Sequence, residues 1–138
     1  MRHFFDTNVL VYLFDTSAPR KKARAQELLK RAVTDRQALL NTQVLQEFFV
    51  AVTRKLSVPL AHELALRATQ DLAELPTQQV DTVIILKAIE SMRRYRLSFW
   101  DSLIVQAALH GGATILYTED LQNGQRFETL SVQNPFQT

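Results

Sequence analysis

Short apolar runs alternating with longer stretches of helical period constrain this chain more than any other feature. Phe4-Phe5, Ala38-Leu39-Leu40 and Ala113-Thr114-Ile115-Leu116-Tyr117 are too short for helices and read as buried strands. Between them, apolar residues recur at helical spacing. Ala25, Leu28, Leu29 and Ala32 mark one helix, introduced by Ser17 with Pro19 in the tolerated first turn. Val44, Leu45, Phe48, Phe49, Ala51 and Val52 mark a second, from Thr42 to Leu56. Leu60, Leu64, Ala68, Leu72 and Leu75 form one face of a third, opened by Pro59. Asp81 stands where it can cap a fourth that runs to Tyr95, with Val83, Ile84, Ala88 and Met92 facing inward. A fifth starts at Ser98 and ends at His110-Gly111-Gly112, a glycine stop signal. Val9 to Phe14, after the polar break Asp6-Thr7-Asn8, reads as a short helix, and Phe127 to Val132 as a final edge strand.

Strands that alternate with helices imply an α/β fold, with a central, mainly parallel sheet of four to five short strands in a three-layer α/β/α arrangement. At 138 residues the chain is expected to be one domain, 1–138, since three glycines and four prolines leave no room for long flexible linkers. No apolar run approaches the roughly 20 residues that span a bilayer, so no membrane association is expected. The N-terminus meets Asp6 too early for a signal peptide. The absence of cysteine removes disulfides and thiolate metal sites and fits the reducing cytoplasm.

In parallel sheets of this kind, ligands bind outside the carboxyl ends of the strands. Asp6 directly follows the first strand, and Glu119 and Asp120 follow the strand ending at Tyr117, so both ends of the chain deliver carboxylates to one rim. Asp6 lies between apolar runs, where a carboxylate is costly unless paired or metal-bound, although a strand-closing turn is the blander account. Glu47 falls three residues after Val44 and four before Ala51, on or beside the core-facing stripe; a buried ion pair with Arg54 or Lys55 is its structural alternative. Asp101 stands three residues after Ser98, a capping-box spacing that the helix dipole favours. It also shares a face with Ile104, Val105 and Ala108, so it is expected to point inward, and capping is compatible with catalysis.

Four acids on one rim repel unless a cation joins them. All-oxygen ligands select a hard ion, Mg²⁺ or Mn²⁺, over zinc. His3, His62 and His110 show no ligand spacing, and no P-loop, dinucleotide glycine fingerprint or Gly-x-Ser-x-Gly elbow is present. The net charge of +2 is uninformative, but Arg20, Lys21, Lys22, Arg24, Lys30 and Arg31 cluster, as do Arg93, Arg94 and Arg96. Such groups are either solvated helix faces or the track of a phosphate backbone.

Phe5-Asp6-Thr7-Asn8-Val9-Leu10, Glu47 in a helix, Trp100-Asp101 opening a late helix, and Thr118-Glu119-Asp120-Leu121-Gln122-Asn123-Gly124 after a strand occur in order over nearly the whole chain. This set resembles the PIN-domain nucleases, and within them the VapC-type toxins of bacterial toxin–antitoxin pairs. The resemblance implies a PIN-like fold and a Mg²⁺- or Mn²⁺-dependent endoribonuclease, usually a homodimer held inactive by a cognate antitoxin. It matches Asp6, Glu47 and Asp101 to the central acids, and Thr118 and Asp120 to the polar positions of the last motif. The chain departs from the pattern once, with Asn123 where the family often has a further acid. The fourth acidic corner is therefore open between Asp120, Glu119 and a water held by the Asn123 amide. Metal binding falls to Asp6, Asp101, Glu47 and Asp120, with Thr7, Asn8 and Thr118 orienting the acids or the scissile phosphate. The expected substrate is RNA in unstacked single-stranded loops, with DNA open within the nuclease class. The main alternative is a nucleic-acid-binding module of the same fold with weak or lost catalysis. A receiver-like phosphotransfer domain is the other, but it needs a lysine after a late strand and none follows Lys87.

Overall fold

The computed structural model describes residues 1–137, so the last residue of the expected unit 1–138 lies outside the described residues. Six strands form one sheet: β1 (Arg2–Phe5), β2 (Ala38–Asn41), β3 (Thr77–Gln78), β4 (Ala113–Tyr117), β5 (Arg126–Phe127) and β6 (Leu130–Gln133). Their order is β3-β2-β1-β4-β6-β5, parallel throughout except for the antiparallel β5–β6 pair. Six α-helices accompany them: α1 (Thr7–Val11), α2 (Pro19–Thr34), α3 (Thr42–Arg54), α4 (His62–Ala73), α5 (Thr82–Tyr95) and α6 (Phe99–His110), with a 3-10 turn at Tyr12–Phe14 after α1. Among the described residues no helix is long and apolar enough to cross a membrane.

The three-layer α/β/α architecture follows from the direction of the crossovers. From β1 the chain moves outward through β2 to β3, then returns across the sheet to β4 on the other side of β1. Right-handed crossings in opposite directions place their helices on opposite faces. Helix α2 belongs to the outward run and α6 to the return, and both pack on β2. Covering both faces explains the continuous apolar strands: Phe4, Phe5, Leu39, Leu40 and Leu116 are all at most 1% exposed. Gly112, at φ 79°, supplies the left-handed stop after α6 that β-carbon-bearing residues resist.

Several sequence expectations needed correction. The sheet has six strands rather than four or five. Strand β3 is two half-buried polar residues with no hydrophobic signature, held by parallel pairing to β2. The single strand expected from Phe127 to Val132 is two strands, because Glu128 turns at φ 53° and folds β5 back on β6. β6 is thus an interior strand and β5 the edge. Helix α4 begins at His62, after the Pro59 region, and buries Ala65 and Leu72 while Leu64 is 54% exposed. On α5, Ile84 and Ala88 face the core as expected, but Val83 is 53% exposed. Ser17 does not cap α2; its hydroxyl donates to Asp15 at 2.6 Å.

Candidate active site

Because the chain leaves β1 in one direction and returns to β4 in the other, the carboxyl ends of these two neighbours form the switch point of the sheet, where a crevice opens. The Asp6 backbone N–H donates to the Tyr117 carbonyl at 3.0 Å, stitching the two strand ends together. Asp6 then caps α1. Its Oδ1 accepts from the Thr7 backbone N–H at 2.7 Å, and its Oδ2 from the Thr118 hydroxyl at 2.8 Å and from Asn8 Nδ2 at 3.4 Å. Asn8 Nδ2 also donates to Thr118 Oγ1 at 3.1 Å, and Asn8 Oδ1 accepts from the Glu119 backbone N–H at 3.2 Å. One amide thus joins the loops after both strands. The Asp120 backbone N–H donates to Thr118 Oγ1 at 3.0 Å, which sets the start of the last motif.

Asp6 is 6% exposed and Thr118 fully buried. Burial pushes the Asp6 carboxyl up to about 7, against the pull of its bonds to Thr118 and Thr7, and the charges of Asp120 and Glu47 add to the rise. Asp101 is half-buried at the start of α6, where the Ser98 hydroxyl caps its backbone N–H at 3.1 Å. Burial and the Asp120 charge raise its carboxyl, opposed by Ser98, with a smaller upward push from Glu47. These couplings link all four acids electrostatically.

The four also share a cavity of about 590 Å³, lined by Asp6, Glu47, Asp101 and Asp120 together with Thr7 and Asn8. Of the two positions the sequence left open for Glu47, on the core-facing stripe or beside it, the structure takes the second. The buried stripe of α3 is Gln43, Val44, Phe48, Ala51 and Val52, and Glu47 stands beside it, exposed, at the cavity wall. Its ion-pair alternative is absent, since the pairs formed among the described residues are Lys21–Glu119 and Arg31–Glu27. Instead the Thr7 hydroxyl donates to Glu47 Oε1 at 2.9 Å, tying α3 to the β1 end.

The open fourth corner divides cleanly in space. Glu119 accepts from Lys21 Nζ at 2.6 Å and from the Tyr12 hydroxyl at 2.9 Å, so its charge is already matched. The Asn123 Oδ1 accepts from the Asn134 backbone N–H at 2.9 Å and serves the C-terminal segment. Of the three candidates, Asp120 is the one that lines the cavity. Among the described residues no three acidic or imidazole groups form a finished ligand cage; the acids come to the cavity from separate elements.

Lys21, Tyr12, Gln43 and Trp100 were not assigned roles from sequence. Gln43 had a usable signal, because it precedes Glu47 by four residues and so shares its helix face. The Lys21–Glu119 contact had none, being 98 residues apart. The first basic cluster is partly structural: Lys21 holds Glu119, Arg24 Nε donates to the Pro135 carbonyl at 3.0 Å, and Arg31 pairs with Glu27 at 3.3 Å. Arg93 and Arg94 sit in the last turn of α5, where the helix dipole favours cations.

Fold and site together define a three-layer α/β protein with an acidic cavity at the switch point of its sheet. Residues 3–126 match the PIN domain, and the chain belongs to that family. Solved structures share its fold at low sequence identity. A toxin–antitoxin complex from Klebsiella pneumoniae aligns with a TM-score of 0.74 and 18% identity over 99% of each chain. VapC20 of Mycobacterium tuberculosis, a Sarcin-Ricin loop cleaving toxin, aligns at 0.64 and 20% identity over 86% of this chain and 89% of its own. VapBC2 from Rickettsia felis, bound to a DNA fragment from its promoter, aligns at 0.67 and 16% identity over 96% and 98%. No curated protein sequence gives a match.

Proposed function

We propose that this chain is a Mg²⁺- or Mn²⁺-dependent endoribonuclease acting as the toxin of a toxin–antitoxin pair. The observation that carries the reading is one cavity walled by Asp6, Glu47, Asp101 and Asp120, none with an ion-pair partner among the described residues. Membership of the PIN family and the fold shared with a loop-cleaving toxin and with toxin–antitoxin complexes support it.

The donor chemistry fits such an ion. The cavity wall offers carboxylate, hydroxyl and amide oxygens and contains neither histidine nor cysteine, which suits a hard divalent cation. Mg²⁺ usually keeps several waters and takes one or two carboxylates directly, so it does not require all four acids to close around it. Asp6 and Asp101 would hold the ion, with Glu47 and Asp120 as further ligands or as anchors for water. When bound, it supplies charge neutralisation at the scissile phosphodiester and lowers the pKa of an attacking water. The rest is the work of the chain. Thr118 and the Thr7 backbone lock the Asp6 carboxylate in place. The Thr7 hydroxyl steadies Glu47, which would take the proton of the attacking water. Asn8 keeps the loops after β1 and β4 in register, so that Asp6 and Asp120 line the same cavity and would act on the same phosphate.

In this reading the partner is a cognate antitoxin protein, the working form a homodimer and the compartment the cytoplasm. The outer face of α5, with Val83 53%, Leu86 57% and Ile89 51% exposed, supports the second copy; a monomer in sedimentation at micromolar concentration would remove that part. A nucleic-acid-binding module without catalysis is the second reading, and Asn123, standing where the family often has a further acid, favours it. Incubating the purified chain with structured RNAs separates the two. Cleavage is expected with Mg²⁺ or Mn²⁺, not with EDTA, and not by Asp6→Asn or Asp101→Asn. Cleavage that survives either substitution places the site elsewhere, and a calorimetric titration with no Mn²⁺ binding leaves only the second reading.

A further inference from the structure

The chain has one tryptophan, Trp100, which precedes Asp101 at the start of α6. Tryptophan carries a large apolar surface that folded chains usually cover, yet Trp100 is 61% exposed. The half-buried Phe99 holds it in a T-shaped contact, with 5.0 Å between centroids and 73° between planes. The indole therefore meets Phe99 edge to face and is mostly uncovered. It lines the same cavity as Asp101 and Asp6.

A second unspent group lines that cavity. Gln43 is only 5% exposed, and its Oε1 has no hydrogen-bond partner among the described residues. Buried acceptors are almost always paired, so one left open beside a cavity asks for a donor. Gln43 lies one turn before Glu47 on α3, on the cavity side. The acidic cluster is thus accompanied by a flat apolar surface and a buried amide oxygen.

We infer that Trp100 and Gln43 form a nucleotide subsite beside the acids, in which an unpaired base of single-stranded RNA stacks on the indole and the same nucleotide donates a hydrogen bond to Gln43 Oε1. The choice of RNA rests on the ribonuclease reading above. A base joined to the phosphate at the acidic wall brings a flat aromatic surface to the place where Trp100 is open. Bases within a duplex are already stacked and cannot do so, which commits the subsite to unpaired strands. The donor is either a base N–H or the ribose 2′-hydroxyl, and the two can be told apart.

Since Trp100 is the lone tryptophan among three tyrosines, fluorescence of the unmodified protein excited beyond the tyrosine absorption band reports on this residue alone. Stopped-flow mixing with a short single-stranded RNA in Mg²⁺ reads the signal before turnover, while anisotropy of an end-labelled copy reads binding independently. Saturable quenching is expected at the concentrations where anisotropy rises. Moving a single abasic position along the RNA should abolish quenching at one site, and the matching duplex should not quench. Trp100→Ala should weaken binding about tenfold and Trp100→Phe restore most of it. Gln43→Leu, which keeps the volume, should weaken binding about fivefold. If that loss disappears on 2′-O-methyl RNA the donor is the hydroxyl, and if it persists the donor is the base. Binding with unchanged tryptophan fluorescence overturns the subsite, as does no binding at all. Cleavage with a silent Trp100 leaves the ribonuclease reading standing without this inference, whereas quenching without cleavage does the reverse.

Discussion

Two polar clusters lie inside this fold, and they are built on opposite terms. Between α5 and α6, Ser102 Oγ donates to the Ala88 carbonyl at 2.7 Å, Ser91 and Ser102 share a bond of 2.8 Å, and Gln106 Nε2 donates to Ser91 at 3.1 Å. All these groups are neutral and each is matched within the protein. At the β1–β4 switch point the neutral donors of Thr7, Asn8 and Thr118 are instead aimed at carboxylates. Those bonds orient the acids without cancelling their charge. A closed neutral network specifies how two helices pack, while an oriented and uncancelled charge is prepared for something that arrives from outside.

The sharpest way to break the comparison is to neutralise the charged cluster. Groups one step removed from a metal typically cost 10- to 100-fold when removed, so Asp6→Asn or Asp101→Asn is expected to lower RNA cleavage by at least about a hundredfold. Asp6→Asn should also stabilise the protein in EDTA at neutral pH. The native Asp6 carboxyl, pushed up to about 7 from 3.8, keeps its proton while the unfolded chain releases it. Its contribution is therefore intact below pH 3.8, lost progressively as pH rises toward about 7, and flat above. Thermal unfolding of wild type against Asp6→Asn across that window should diverge by an amount on the order of a few kcal/mol; parallel curves would contradict the burial argument.

Thr118→Val comes next. It keeps shape but removes the hydroxyl that holds Asp6 and receives the Asp120 backbone N–H. Cleavage is expected to fall about 10- to 100-fold while circular dichroism stays unchanged. In the neutral cluster, Ser102→Ala should do the reverse, costing about 1–2 kcal/mol in urea unfolding with specific activity retained. Equal effects of these two substitutions on activity would erase the distinction between the clusters. Lys21→Ala should have the smallest effect. Its pair with Glu119 is partly exposed, with side chains 41% and 22% accessible, so the stability change is expected below about 1 kcal/mol.

Much of this was legible in the amino-acid order because it is local. The Ser98 cap and Gly111-Gly112 stop delimit α6, and Asp81 caps α5, through bonds that span a few residues. The order of strands and helices announced the parallel sheet and hence a rim shared by Asp6 and Asp120. Glu47 stayed open between the stripe and its border for a geometric reason: a stripe of helical period is broad, and a residue at its border points to the core or to a cleft depending on what packs alongside. The two-residue strands β3 and β5 were missed because they exist only through pairing with neighbours.

The sequence by itself determined which acids were available and which backbone ends would carry them, since strand ends and helix caps are short-range properties. It also narrowed the fourth corner to Asp120, Glu119 and Asn123. Only the tertiary structure shows which of them lines the cavity. Lys21 and Tyr12 reach Glu119 from 98 and 107 residues away and match its charge, Asn134 occupies the Asn123 carbonyl oxygen from beyond the β5–β6 pair, and Asp120 is left lining the cavity. Charge compensation depends on distance through space, and no spacing along the chain encodes it.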